Sequence, residues 1–590
     1  MAVGAARQRR RESAERLALR VPRVPALVTG VLCLLVGAFM ALRLFSSLAV
    51  LVVLTCVGLV LAGIGELASG AADGRGGRGR DWGRWAWAGV LVLAGVVGLV
   101  RPGLTVHALV LVTGAGLVVS GLLELVQGFR GGASRWVAVV SGSASVGLGV
   151  LALAWPDVTV VVLAVLLGVR IALFGVDLLL AAWRGPRGGA RVSRGSVRAV
   201  ASLVVVAGLL VVGALVHDGV PVPDAFYSAP ATVPSQPGQL LRAEPFTRDV
   251  PAAAQGWRIL YTTTREAGQP AVASALVVVP RAASSSPPAV IAWAHGTTGA
   301  APACAPSLQE HPFESGALFL TDQVVSHGWA LVATDYVGLG TAGPHPYLVG
   351  EAEGRSVLDA VRAAHHLSGV TLGTDTVVWG HSQGGHAALW TGILGPTYAP
   401  DVRLDGVAAL APASNLPALV EHLGGSRIGS MFASYVATAY GSVYDDVRPD
   451  DYIRPGARLI MREMGQRCLS NPGVLVSLGT ALSMDKAPWN RDVASGPFGA
   501  RLTQNTPTGA IAAPLLIAQG LSDTLVVPAS QDAYVQQRCA AGQAVDYRTY
   551  AGRGHVELVT ADSPLAPDLL TWTQDRLAGV APTGTCPAVS

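Results

Sequence analysis

At 590 residues the chain is too long for one compact core, so two or more domains are expected. Hydrophobic residues make up 51% and charged residues only 14%, a balance that excludes an ordinary, wholly soluble protein. The net charge of +4 is carried almost entirely by arginine, and the arginines lie between apolar runs rather than along one folded face, which excludes nucleic acid as a partner.

An Arg-rich tail, residues 1–24, opens the chain and carries Arg7, Arg9, Arg10, Arg11, Arg16, Arg20 and Arg23. Seven apolar runs follow, at 25–43, 47–69, 86–101, 104–127, 137–154, 158–182 and 199–216. A run of about 20 apolar residues crosses the ~30 Å hydrocarbon core as a helix. The pattern therefore predicts an all-α, seven-span membrane domain over 25–216. Alternate loops carry Arg75, Arg78, Arg80 and Arg84, then Arg130 and Arg135, then Arg184, Arg187, Arg191, Arg194 and Arg198, while the turns between are nearly uncharged. The bias towards positive charge inside places the N-terminus in the cytoplasm of a bacterial plasma membrane and everything after the seventh span outside it. The tail is similar to the start of a secretory signal. Even so, the first span is long, lacks a small-x-small cleavage site and is followed by six more, so it is expected to be retained.

The runs repeat. "RPGLTVHALVLVTGAGLVVSGLLELV" aligns with "WPDVTVVVLAVLLGVRIALFGVDLLL", and "LFSSLAVLVVLTCVGLVLAGIGELA" follows more loosely. Three stacked helical hairpins are implied. This part, about 25–185, resembles the HdeD-type family of small bacterial membrane proteins, in which the R-P-G-x-T turn recurs. Each hairpin places an acid near the cytoplasmic end of its second span: Glu66, Glu124 and Asp177. Acids inside a membrane are functional candidates; at this depth, pairing with nearby arginine or headgroups is the simpler expectation.

After His217 the composition changes. "DGVPVPDAFYSAPATVPSQPGQ" is rich in Pro and Ser, lacks periodicity and is read as an extended extracytoplasmic linker over 217–244. From 245 to 590, short apolar runs alternate with helical stretches, the pattern of an α/β domain. Candidate core strands are 289–296, 329–336, 375–382, 404–412, 513–520 and 544–552.

The third strand runs into "GHSQGGHAALW". With 71 glycines in the chain, G-x-S-x-G alone is weak. Placed between a strand and a helix it describes a nucleophile elbow, in which a tight turn projects the Ser382 hydroxyl. A serine needs a base, and the base needs an orienting acid. On an α/β-hydrolase these follow the serine in the order acid, then histidine. "QGLSDTLVVP" supplies Asp523 after the fifth strand, and "GRGHVEL" supplies His555 after the sixth. The backbone amide of Gln383, next after the nucleophile, is the first candidate oxyanion donor; Thr297 of "HGTTG" and Asp335 of "TDYVGLG" are candidates for the second. His365, His366, His381 and His386 lack the HExxH arrangement and a carboxylate partner, so no metal site and no cofactor are expected.

Residues about 245–575 resemble the secretory lipase family of α/β-hydrolases, related to fungal lipase A. The likeness rests on "CAPS" (304–307), "ATDYVGLG" (333–340), "YLVGEAEGRSVLDAVRAA" (347–364), "GHSQGGHAALW" (380–390) and "SDTLVVP" (522–528). It implies an α/β-hydrolase fold, ester or lipid substrates, and an oxyanion role for the Asp of the "TDYxG" segment, favouring Asp335 over Thr297. The architecture departs from that family, whose members are typically free secreted proteins.

Between the fourth and fifth strands lie about 95 residues, too many for a connecting loop, and their apolar spacing predicts a helical cap over about 415–510. Cys33 and Cys56 fall inside spans; Cys304, Cys468, Cys539 and Cys586 lie in the outer domain, where disulfides are permitted. Four cysteines allow three connectivities. The favoured one is Cys304–Cys468, tying the loop after the first core strand to the cap, with Cys539–Cys586 holding the C-terminal tail. The chain is thus expected to be a membrane-tethered serine hydrolase of carboxylic esters. Its alternatives are a membrane stress or transport protein with a binding outer domain, or an acyltransferase or peptidase on the same fold.

Overall fold

A computed structural model describes residues 102–129, 135–154 and 220–586 (without 283–285, 485 and 583), together with scattered single positions earlier in the chain. Two compact units divide the chain: residues 1–215 with the short segments 455–460 and 482–486, and the remainder from 216 onward.

In the first unit, helix α1 (Pro102–Phe129) begins with proline at its first position, where the missing N–H costs nothing. Helix α2 (Arg135–Ala154) follows after a short connection. The two helices cover the fourth and fifth predicted spans. They approach so closely that a Cβ on Gly121 would lie 2.6 Å from the Gly142 carbonyl oxygen, and one on Gly149 would lie 2.7 Å from that of Gly114. Seven residues separate the glycines on each helix, so both sit on one seam. Small residues allow such contact between apolar helices. Leu111, Val119, Leu122, Leu123, Val126 and Phe129 on α1 and Val150 and Leu153 on α2 are exposed. Among the described residues, no helix is long and apolar enough to cross a membrane. The tail, all but scattered positions of the other five predicted spans, Glu66, Asp177, Cys33 and Cys56 lie outside the described residues, and of Glu124 only its place on α1 is described.

The second unit is built on one nine-stranded sheet. Its strands are β1 (Leu240–Phe246), β2 (Ala254–Thr264), β3 (Pro270–Pro280), β4 (Val290–Ala294), β5 (Ala330–Thr334), β6 (Asp375–His381), β7 (Arg403–Leu410), β8 (Leu515–Gly520) and β9 (Asp546–Tyr550), in the order β1-β2-β3-β5-β4-β6-β7-β8-β9. The first three pair antiparallel, β3 pairs antiparallel with β5, and β5 to β9 are parallel. The inner parallel strands β4 and β8 are buried along their whole length, which is why "VIAWA" and "LLIA" read as unbroken apolar runs. All six predicted core strands appear within a few residues of their expected limits. Strands β1 to β3 were not among them: they form a hairpin edge closed by the turn at Arg265–Gln269, with Gly268 at φ +81°.

The linker is not free along its length. Ala225–Tyr227 form a 3-10 turn capped by Asp224, and Phe226 and Tyr227 are buried. Asp224 pairs with Arg258 of β2 at 2.9 Å, and the Arg242 guanidinium donates to the carbonyls of residues 225, 226 and 228. Two aromatics in a Pro-rich segment supplied the apolar area that seats it, a tertiary contact that periodicity does not register.

Helices α3 (Thr321–Ser326), α4 (Gly350–Ala364) and α5 (Gln383–Tyr398) precede an insertion between β7 and β8. That insertion carries α6 (Leu416–Gly425), α7 (Gly429–Val443), α8 (Arg458–Gly465), α9 (Gly473–Ser483) and α10 (Gly496–Gln504), close to the predicted cap. Helices α11 (Pro528–Ala540) and α12 (Leu565–Leu577) complete the unit. Cys304 is bonded to Cys468 and Cys539 to Cys586, the favoured connectivity.

Candidate active site

Ser382 stands between β6 and α5 with φ 58° and ψ −116°, a conformation costing a non-glycine residue about 1–3 kcal/mol. The surroundings hold it there. Its N–H donates to Leu410 at 2.9 Å, and its carbonyl accepts from His386 and Ala413, each at 3.1 Å. The flanking glycines follow from packing. A Cβ on Gly380 would lie 2.0 Å from the Gly384 carbonyl oxygen, and one on Gly384 would lie 1.9 Å from that of Ala294 on β4.

His555, on the segment after β9, reaches this turn. Its Nε2 is 2.8 Å from the Ser382 hydroxyl and its Nδ1 is 2.7 Å from Asp523 Oδ2. Asp523 follows β8 with its side chain fully buried. Its other oxygen accepts from the N–H of Leu525 (2.8 Å) and Val526 (2.9 Å), and Gln519 Nε2 donates to Oδ2 at 3.1 Å. Burial pushes the Asp523 carboxyl up, but the hydrogen bond and charge of His555 and the two amides outweigh it, leaving Asp523 below its ordinary value. An ionised Asp523 fixes the proton of His555 on Nδ1 and leaves the Nε2 lone pair facing the serine.

His381 braces His555. Burial and then the charge of His555 hold it down at about 3, so it is neutral, and its Nε2 donates to the His555 carbonyl at 3.0 Å. Their ring centroids are 4.7 Å apart.

The two candidates for the second oxyanion donor separate clearly. The Asp335 N–H donates to the Ser274 carbonyl at 2.8 Å. Its carboxylate accepts from the Ser307 N–H at 2.9 Å and from the hydroxyls of Ser274 and Ser307, each at 2.5 Å. Burial raises its carboxyl to about 6. Asp335 therefore ties the "CAPS" loop to β3 through its N–H and both carboxylate oxygens, and its carbonyl faces His295 Nε2 at 3.3 Å, whereas the resemblance implies an oxyanion role for it. The loop carrying Thr297 instead leaves β4 beside the elbow, Ala294 being paired with Gly380. A Cβ on Gly296 would lie 3.2 Å from His381 Nδ1. Thr297 Oγ1 bonds Tyr347 Oη at 2.8 Å, and among the described residues no carbonyl accepts from the N–H of either Thr297 or Gln383. The same loop is anchored to the cap by the Leu469 N–H, which donates to the Thr298 carbonyl at 2.8 Å, beside the Cys304–Cys468 bridge.

Glu353 and His345, which sequence reasoning did not single out, converge with His386 behind Gln383. Glu353 of α4 meets Gln383 Nε2 at 2.7 Å and His386 Nδ1 at 3.1 Å, and His345 Nε2 is 2.9 Å from Gln383 Nε2. The expectation that His386 has no carboxylate partner is thereby corrected. Thirty positions separate Glu353 from Gln383, so no local spacing could have flagged the pair. Among the described residues, no group of His, Cys, Asp and Glu is arranged to hold a metal ion. A surface cavity of about 610 Å³, lined by Pro514, Leu515, Arg538, Val545 and Asp546 among others, opens at the start of β8 and β9, the opposite end of the sheet from Ser382.

A serine on a strained strand-to-helix turn, at the C-terminal ends of a mostly parallel sheet beneath a helical insertion, defines an α/β-hydrolase. Comparison with known proteins agrees. Residues 315–585 match the secretory lipase family, and residues 28–93, 86–153 and 140–213 match DUF308, a short repeat of unknown function. Lipase A of Arthroderma benhamiae is 26% identical over 61% of this chain and 80% of its own. The probable inactive lipase MT1628 of Mycobacterium tuberculosis is 25% identical over 61% and 83%. The crystal structure of Candida antarctica lipase A in its closed state, 20% identical, superposes with a TM-score of 0.52 over 62% of this chain and 89% of that one. The C-terminal part is therefore a lipase-like hydrolase domain.

Proposed function

We propose that the chain is a membrane-tethered serine hydrolase that cleaves carboxylic esters outside the cell, lipase-like in its substrates. One observation carries the chemistry: the unbroken hydrogen-bonded line from Ser382 through His555 to Asp523. Family likeness alone would not suffice, since one relative is named a probable inactive lipase. In the reaction, His555 Nε2 takes the proton as Ser382 Oγ attacks the ester carbonyl. The N–H groups of Gln383 and Thr297 receive the oxyanion. His555 then gives the proton to the departing alkoxide, leaving an acyl-enzyme on Ser382. Water, deprotonated by the same nitrogen, attacks the acyl-enzyme, and His555 returns that proton to Ser382 Oγ as the acid leaves.

Tethering rests on the apolar runs of the N-terminal part, its DUF308 match and the exposed apolar faces of α1 and α2. The decisive assay uses full-length protein in membranes with fluorogenic esters of graded chain length and a fluorophosphonate label. Ser382→Ala is expected to lose both turnover and labelling; undiminished turnover ends the reading. A cysteine in loop 70–85 is expected to react only from the cytoplasmic side and one at 220–223 only from outside. The reverse pattern overturns the placement of the hydrolase outside the cell, and a free soluble form removes the tethering.

A further inference from the structure

Gln383 contributes its main chain to the proposed oxyanion hole, and its side chain points into a wholly buried polar web. Glu353, His345, Gln383, His386 and Asn505 are each 3% exposed or less. Elementary donor and acceptor rules assign the protons. His345 Nδ1 faces the Val337 carbonyl at 3.1 Å, so it carries the hydrogen and leaves Nε2 as an acceptor. The Gln383 amide nitrogen then gives one hydrogen to His345 Nε2 and the other to Glu353 Oε1. A flipped amide would set its oxygen against both of those acceptors. His386 Nε2 faces the Asn505 carbonyl at 2.8 Å and must donate, so its 3.1 Å contact from Nδ1 to Glu353 Oε2 holds one shared proton. The Leu348 N–H completes the shell, donating to Glu353 Oε1 at 2.9 Å from a residue at φ 55°.

The web continues into the cap. Asn505 ends α10, accepts from the Gly350 N–H at 3.0 Å and donates to Tyr444 Oη at 2.7 Å. Tyr440 of α7 donates to the Leu348 carbonyl at 3.0 Å. The cap is thus connected by direct hydrogen bonds, through Glu353, to the residue after the nucleophile.

We propose that Glu353 is a positioning residue for catalysis: it holds the Gln383 side chain so that the Gln383 backbone N–H points at the developing oxyanion, and it makes that aim depend on the seating of the cap. Glu353 touches no reacting atom. The proposal rests on the serine hydrolase reading above. Its physical basis is that oxyanion stabilisation requires donors fixed before the reaction, and one misplaced donor costs about 10²–10³ in rate.

The test uses the full-length chain, with rates normalised to sites titrated by a fluorophosphonate so that lost folding does not count as lost catalysis. Glu353→Ala is expected to lower kcat per titrated site about 10²-fold, leave KM little changed, and weaken an alkylboronic acid that mimics the tetrahedral state by the same factor. Glu353→Gln is expected to restore near wild-type kcat, because its oxygen accepts from Leu348 and Gln383 while its NH2 donates to neutral His386. Should Glu353→Ala not fold, Gln383→Met removes the tether but keeps the backbone N–H, and the same split is expected. A folded Glu353→Ala or Gln383→Met with wild-type kcat per site and boronate affinity overturns the positioning role. Ser382→Ala run alongside separates the premises: turnover there removes the hydrolase reading together with this proposal, whereas an inactive Ser382→Ala beside a fully active Gln383→Met removes this proposal alone.

Discussion

In α1 and α2 the glycines Gly114, Gly121, Gly142 and Gly149 let two helices touch backbone to backbone, while large apolar side chains on the same helices stay exposed. At the elbow, Gly380 and Gly384 do the same for a strand and a helix, but there every neighbour is buried and the chain is held in a costly conformation by polar contacts. The same residue type thus answers two different demands. Between apolar helices, closeness itself is the contact, worth dispersion and little else. In the hydrolase, closeness is a condition for aiming one hydroxyl, and the backbone and side chains around it are held by buried hydrogen bonds.

The sharpest way to break this contrast is at the relay. Asp523→Asn leaves the turn intact but removes the acceptor that fixes the His555 tautomer, and is expected to lower kcat about 10⁴-fold in the ester assay. A smaller loss would mean that the elbow, not the relay, carries the chemistry. Next, Gly384→Ala places a methyl where a carbonyl oxygen already lies, and is expected to cost ~4 kcal/mol or more, read as loss of soluble, labelled protein. Gly121→Ala on the helical seam should cost only about 1–3 kcal/mol, seen as a shifted thermal transition by circular dichroism in detergent and with esterase activity unchanged.

Between those two lies the Cys304–Cys468 bridge, which closes a separation of 164 residues against 47 for Cys539–Cys586. Chain entropy gives about 5 and 4 kcal/mol as upper values. Paired serine substitutions are therefore expected to lower Tm more for the first. Only the first should also lower kcat, because it lies beside the Thr297–Thr298 loop.

The smallest effect is electrostatic. Burial raises Asp335 to about 6, above its ordinary value of 3.8. Between those values the unfolded chain has released a proton that the native state retains, so stability falls as pH rises through the window. Replacing Asp335 by Asn should flatten that decline, on the order of 1–3 kcal/mol, in denaturant titrations from pH 4 to 7.

The elbow was legible from "WGHSQGG" because its causes are local: a strand, a reversal and a helix within ten residues, with glycine required on both sides. Asp523 and His555 were legible from chain order, since parallel strands bring their C-terminal loops to one edge of the sheet. The disulfide pairing observed is the one favoured among three connectivities that sequence alone does not choose between. Composition and apolar period likewise divided the chain near 216, where the boundary between the two compact units falls.

Tertiary structure alone decided what Asp335 does. A "TDY" segment has the same sequence whether its carboxylate faces a substrate or the hydroxyls of Ser274 and Ser307. It also seated Tyr227 against Ser307, 80 positions away, and joined Glu353, Gln383, His386 and Asn505 into one buried hydrogen-bonded web. Such contacts have no period and no fixed spacing. Their energy comes from denying water to polar groups that must then find partners wherever the fold brings them, and that demand appears only once the chain has closed around them.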